Sequence, residues 1–120
     1  MRIILVDDEK ELVIALAERL EFRGIDAHWA DDGDDALKMV AENQYDLAVL
    51  DVKLPKISGL ELKKKMQEIA PDLKYIFVTG HGSNNDYKTI SAEAECEYYL
   101  IKPVKIEILV EKIKDALKEQ

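Results

Sequence analysis

Five short apolar runs, at residues 3–6, 25–30, 47–50, 73–79 and 97–101, alternate with stretches of helical spacing, and this alternation limits the fold more than any other feature. Short apolar runs bounded by turn chemistry read as strands buried on both faces. Over residues 10–23, Leu12, Val13, Leu16, Ala17 and Leu20 recur at helical intervals, and Gly24 is placed to end that helix. Ala36, Leu37, Val40 and Ala41 carry the stripe of a second helix. Asp31, Asp32, Asp34 and Asp35 put negative charge at its start, where the helix dipole favours it, so this cluster reads first as capping. Leu60, Leu62, Met66 and Ile69 cover the inner face of a third helix, which starts at Gly59 and is stopped by Pro71. Residues 84–93 form a weaker fourth helix, and residues 106–117 a fifth with Ile106, Leu109, Val110, Ile113 and Leu117 on one side. Such uninterrupted alternation predicts an α/β fold, a five-stranded parallel sheet with helices on both faces.

The 120 residues are enough for one domain, with no boundary or linker inside 1–120, and 48% apolar content can fill one core. A formal net charge of -8 repels nucleic acid phosphates and anionic lipid, so direct nucleic acid binding and membrane association are not expected. Met1-Arg2 followed by Ile3-Ile4-Leu5-Val6 and then acid does not read as a signal peptide, and no run approaches the roughly 20 apolar residues of a membrane span. The single Cys96 cannot form an internal disulfide and reads as a packing residue, so a reducing, cytoplasmic setting is expected. His28 reads as a half-buried strand residue rather than a ligand.

The chemistry gathers at the strand ends. In a parallel sheet the carboxyl ends share one edge, where open α/β folds bind their ligands. Here that edge collects Asp7 and Asp8 after the first run, Asp51 after the third, Thr79 at the end of the fourth and Lys102 after the fifth. Two carboxylates about 4 Å apart repel by roughly 4 kcal/mol at an effective dielectric of about 20. Three of them call for a cation or a raised pKa, and all-oxygen ligation suits Mg²⁺. Lys102 can hold an oxygen of a transferred phosphoryl group while the Thr79 hydroxyl donates to another. A carboxylate nucleophile that takes up a phosphoryl group forms an acyl phosphate.

With Leu5-Val6-Asp7-Asp8-Glu9, Gly33 with Ala36-Leu37, Asp51 with Leu54-Pro55 and Ser58-Gly59, Thr79-Gly80, and Tyr99-Leu100 with Lys102-Pro103, the chain closely resembles the receiver domain of response regulators in two-component signalling. The resemblance implies a doubly wound, flavodoxin-like fold of strand order 2-1-3-4-5 with five helices. It implies that Asp51 is the phosphoacceptor, and that Asp8, Asp51 and the backbone carbonyl of Lys53 bind Mg²⁺, with Asp7 assisting mostly through water. Thr79 and Lys102 would contact the phosphoryl group, and Tyr99 would be the aromatic switch. The partners implied are a sensor histidine kinase or phosphotransfer protein and an output domain or protein, with homodimerisation on activation left open. The role is that of a signalling phosphoacceptor rather than an enzyme with a separate substrate.

The resemblance places Lys53 and His81 at rim positions that vary in that family, where they would tune the lifetime of the phosphorylated state, though a loop histidine such as His81 is by default solvated. Ala94-Glu95-Cys96 departs from the small residue and glycine usual before the fifth strand. Ser83, Asn84, Asn85, Asp86, Thr89 and Ser91 each give up roughly 0.5 kcal/mol against alanine in a helix interior, so residues 83–96 are expected to form the least stable helix and to move most on phosphorylation. Three alternatives stay open. An aspartate-nucleophile phosphatase of the haloacid dehalogenase type normally has a second aspartate where Lys53 stands. An FMN carrier would need a phosphate loop rich in Ser, Thr and Gly in place of Asp7-Asp8-Glu9. A receiver-like interaction module would never be phosphorylated.

Overall fold

The computed structural model describes residues 1–80 and 99–118. The apolar runs form β1 (Arg2–Val6), β2 (Asp26–Ala30), β3 (Leu47–Asp51), β4 (Lys74–Thr79) and β5 (Tyr99–Ile101). Between and after them run α1 (Lys10–Phe22), α2 (Gly33–Glu42), α3 (Gly59–Ile69) and α4 (Ile106–Lys118). The weak helix expected over residues 84–93, its departure at residues 94–96, and the start of the last strand at residues 97–98 lie outside the described residues. All strand pairs are parallel and the order is β2-β1-β3-β4-β5, as expected for the doubly wound fold. Among the described residues no helix is long and apolar enough to cross a membrane.

Because side chains alternate along a strand, the runs feed two cores. Ile3, Leu5, Leu47, Val49, Ile76 and Val78 face one side, where Val13, Leu16 and Leu20 of α1 meet Ile106, Leu109 and Ile113 of α4. Ile4, Val6, Ala48, Leu50, Tyr75 and Phe77 face the other, against Ala36 and Val40 of α2 and Leu62 and Met66 of α3. Full burial of each such large side chain stabilises the fold by about 1.5–3 kcal/mol. One expectation about helix faces is corrected. Ile69, the last residue of α3, is 45% exposed rather than part of the inner face. On α4 the expected stripe holds: Ile106, Leu109 and Ile113 are buried, Val110 and Leu117 pack partly against the same core, and Ala116 joins them.

Helix ends follow local chemistry. Gly24 takes a φ of +81° just past α1, and its N–H donates to the Glu21 carbonyl at 3.0 Å. Asp32 caps α2 by accepting from the Asp35 N–H at 2.8 Å, as the acidic cluster led one to expect. Ser58 caps α3 by accepting from the Glu61 N–H at 3.1 Å. Gly59 begins α3 hard against the end of β3: a Cβ there would lie 2.5 Å from the Asp51 carbonyl oxygen.

Candidate functional site

The central neighbours β1 and β3 run in register from Ile3↔Leu47 to Val6↔Leu50, so the next residue of each, Asp7 and Asp51, emerges at the same level of the sheet. The β3–β4 and β4–β5 ladders carry on past the strand ends. Val52 N–H donates to the Val78 carbonyl at 2.9 Å, and Lys102 N–H to the Thr79 carbonyl at 2.8 Å. These bonds fix the backbone at Asp51 and Lys102, and the Lys102–Pro103 peptide bond is cis. Two features set the loop after Asp51: an antiparallel bridge between Lys53 and Ser58, and the Gly59 N–H bond to the Val52 carbonyl at 2.9 Å.

Lys102 is the centre of the cluster. Its Nζ lies 2.9 Å from Asp7 Oδ2, 3.0 Å from Asp51 Oδ2 and 3.1 Å from Glu9 Oε1. The other oxygens of the two buried aspartates meet backbone: Glu9 N–H donates to Asp7 Oδ1 at 2.9 Å, and Lys53 N–H to Asp51 Oδ1 at 3.1 Å. Asp7, Asp51 and Thr79 are buried, whereas Asp8 and Lys53 are exposed at the rim. The Thr79 hydroxyl has a long contact to the Gly80 carbonyl at 3.4 Å. Tyr99 is half-buried on β5, paired in register with Phe77 and packed against the α2–α3 side. His81 lies outside the described residues.

Burial pushes the Asp51 carboxyl above its ordinary range, and the Asp7 charge adds to this against the opposing pull of Lys102 and the Lys53 N–H. Burial works against the charge on Lys102, but hydrogen bonds to Asp7, Asp51 and Glu9 outweigh it and hold the ammonium above the usual lysine range. The two shifts agree once charges are counted: among the described residues Lys102 alone faces Asp7, Asp51 and Glu9, so it is held firmly while Asp51 has only a share of it. Asp7, Asp8 and Asp51 can bring one carboxylate oxygen each within 4.8 Å of one another. An all-oxygen set with surplus negative charge fits a hard divalent cation such as Mg²⁺.

Other candidates fall to structural roles. His28 Nδ1 meets the Tyr45 hydroxyl at 2.7 Å, and its Nε2 lies 3.2 Å from Asp26, which also binds Arg2 at 2.8 Å. That network ties the edge strand β2 to its neighbours, in keeping with the half-buried role expected of His28. Sequence reasoning missed two residues. Glu9 stands in the acid run with no function that its position alone assigns, and a third acid at the same strand end is the signal for it. Gly59 belongs to the Ser58-Gly59 motif, but its approach to the Asp51 backbone is visible only in the packed structure.

The family model of the response regulator receiver domain matches residues 3–114. The chain is 34% identical over 118 residues to response regulator MprA of Mycobacterium leprae, covering 98% of this chain and 51% of that protein. It is 33% identical over 114 residues to the transcriptional regulatory protein DltR of Streptococcus agalactiae, covering 95% and 50%. The chain thus spans about half the length of these relatives. Among solved structures, a CheY-like response regulator receiver domain from Methanospirillum hungatei superposes with a TM-score of 0.88 at 35% identity, covering 98% of this chain and 94% of that one. Response regulator TrrA from Thermotoga maritima, in complex with Mg(2+)-BeF, gives 0.81 at 33% identity, covering 97% and 98%. These matches leave no ground for the phosphatase and FMN-carrier alternatives, and the chain belongs to the response regulator receiver domain family.

Proposed function

We propose that this chain accepts a phosphoryl group on Asp51, in a Mg²⁺-dependent reaction, from a phosphohistidine of a sensor histidine kinase or phosphotransfer protein, and so changes its contacts with an output domain or protein. One observation carries the reading: a buried Asp51 carboxylate lies 3.0 Å from Lys102, beside Asp7, at the carboxyl edge of the sheet. That TrrA, similar along nearly its whole length, was solved with Mg(2+)-BeF supports it.

Asp8, Asp51 and the Lys53 carbonyl are the groups assigned to hold Mg²⁺, with Asp7 acting through water. The bound ion would screen the carboxylates from the phosphoryl oxygens. The Lys53 N–H and Lys102 fix the two Asp51 oxygens, leaving the carboxylate oriented for attack. An Asp51 oxygen forms the new O–P bond as the donor's P–N bond breaks. The bonding pair stays with the donor ring nitrogen, which departs as neutral imidazole once solvent protonates it. Lys102 and the Thr79 hydroxyl then donate to phosphoryl oxygens. Thr79 has little to lose in turning, since its contact to Gly80 is 3.4 Å. Tyr99, half-buried on the neighbouring strand, is assigned as the aromatic that follows Thr79 inward.

Lys53 at the rim, with His81, is assigned to tuning the lifetime of the acyl phosphate. The chain is read as one cytoplasmic receiver domain over 1–120, free to dimerise on activation. Incubation with Mg²⁺ and acetyl phosphate, followed by intact-mass measurement, is expected to show one added phosphoryl group that maps to Asp51. A chain that stays unmodified is instead an interaction module that signals without phosphorylation.

A further inference from the structure

We propose that Glu9 is a positioning residue for the reaction on Asp51: its carboxylate accepts one N–H of the Lys102 ammonium in the resting state and releases that N–H when a phosphoryl group arrives. The inference rests on the phosphoacceptor role proposed for Asp51. An ammonium has three N–H donors and no more. Here each faces a carboxylate, with Asp7 at 2.9 Å, Asp51 at 3.0 Å and Glu9 at 3.1 Å. Lys102 can meet a phosphoryl oxygen only after releasing one of them.

The three partners differ in how easily they let go. The Asp7 and Asp51 side chains are 9% and 7% exposed, and until the O–P bond forms both are buried carboxylates, for which loss of the cation is strongly unfavourable. Asp7 is also pinned by the Glu9 N–H at 2.9 Å. The Glu9 side chain is 62% exposed, so water replaces lysine there at little loss. Glu9 is the N-cap of α1 yet makes no side-chain capping bond, so the helix does not compete for its carboxylate. Backbone and side chain of one residue therefore act on the same lysine: the N–H holds the partner that stays, and the carboxylate is the partner that leaves.

Two variants separate contact from charge. Glu9→Asp keeps the charge but is one methylene too short, and Glu9→Gln keeps the length but loses the charge. At saturating Mg²⁺, phosphorylation by acetyl phosphate is expected to quicken roughly two- to fivefold in both, the factor an exposed ion pair commands. In the metal-free proteins, the Lys102 ammonium resonance in ¹⁵N NMR is expected to move towards that of a solvated lysine in both variants, which a change in helix capping alone does not bring about. Wild-type rates in both variants, or a faster Glu9→Gln with Glu9→Asp and its Lys102 resonance unchanged, would overturn the proposal. A wild-type chain that takes no phosphoryl group removes the functional reading and this inference with it, whereas a labelled wild type with unaltered variants removes this inference alone.

Discussion

Two groups of three aspartates lie at the carboxyl edge of the sheet, each able to bring its carboxylate oxygens within 4.8 Å of one another: Asp7, Asp8 and Asp51 after β1 and β3, and Asp31, Asp32 and Asp35 after β2. In the first, two members are buried and face Lys102 at 2.9 and 3.0 Å. In the second, Asp32 and Asp35 are exposed, and Asp32 uses its carboxylate to accept the Asp35 N–H at the start of α2. The same spacing of acids thus has two outcomes. At about 4 Å, like charges repel by roughly 1 kcal/mol in water and 4 kcal/mol at an effective dielectric of 20, so burial turns a mild repulsion into a demand for a cation. The exposed group is relieved by solvent and by the positive end of a helix. A site is therefore marked by what surrounds its acids rather than by their number.

The sharpest way to break this contrast is one substitution in each group. Asp51→Asn is expected to abolish Mg²⁺-dependent phosphorylation, read by intact mass, while Asp31→Asn labels at the wild-type rate. Labelling of Asp51→Asn at the wild-type rate ends the assignment. The same variant also reports on burial. A carboxyl whose pKa is raised on folding adds stability below its ordinary 3.8, and that contribution is lost as pH climbs through the folded value. The metal-free Asp51→Asn protein should therefore gain on the wild type as pH rises above that range in urea melts.

Next in size is the loss of the shared cation. Lys102→Met leaves Asp7 and Asp51 buried without a counter-charge and is expected to destabilise the metal-free protein by about 3 kcal/mol, with added Mg²⁺ restoring part of it. Lys38, exposed in the open groove beside Asp31 and Asp35, is the control, since Lys38→Met should stay within about 0.5 kcal/mol. Equal, small effects in denaturant unfolding would mean that the two groups feel the same dielectric.

Metal affinity divides the first group further. Asp8 is exposed and has no part in the lysine network, whereas Asp7 is committed to Lys102 and the Glu9 N–H. Asp8→Ala is expected to weaken Mg²⁺ binding roughly tenfold or more, and more than Asp7→Ala does. Asp31→Ala should leave it alone. A calorimetric Mg²⁺ titration would show equal or reversed losses if the two roles are exchanged.

The strand positions and the strand-end chemistry are legible in the amino-acid sequence because both rest on local pattern. Leu47-Ala48-Val49-Leu50 is apolar at every position, as a strand covered on both faces must be, and Asp51 ends it where polarity returns. Period alone fails where burial depends on how far a neighbour reaches. Ile69 keeps the α3 phase yet is exposed in its last turn, and Ala116, which no apolar stripe of large residues picks out, is buried beside the partly packed Leu117. The Lys102–Glu9 contact spans 93 positions and depends on side-chain direction, so no spacing rule announces it. Likewise, the clash that requires glycine at position 59 is with the carbonyl of Asp51, eight residues back across a turn.

The smallest expected effect tests the bland half of the comparison. If Asp32 works as a cap, its contribution is a single bond from its carboxylate to the Asp35 N–H at 2.8 Å, plus favourable interaction with the first turn of α2. Asp32→Ala removes both and should cost about 1 kcal/mol of stability in urea. Asp32→Asn keeps an acceptor at that position and should lose less, because only the charge on the helix dipole changes. Neither should alter Mg²⁺ affinity or the rate of phosphorylation, since Asp32 belongs to the exposed group and makes no bond to Lys102. A drop in Mg²⁺ affinity in Asp32→Ala comparable to that of Asp8→Ala would erase the distinction between the two groups, and would show that negative potential along the whole edge, rather than burial around Lys102, draws the ion.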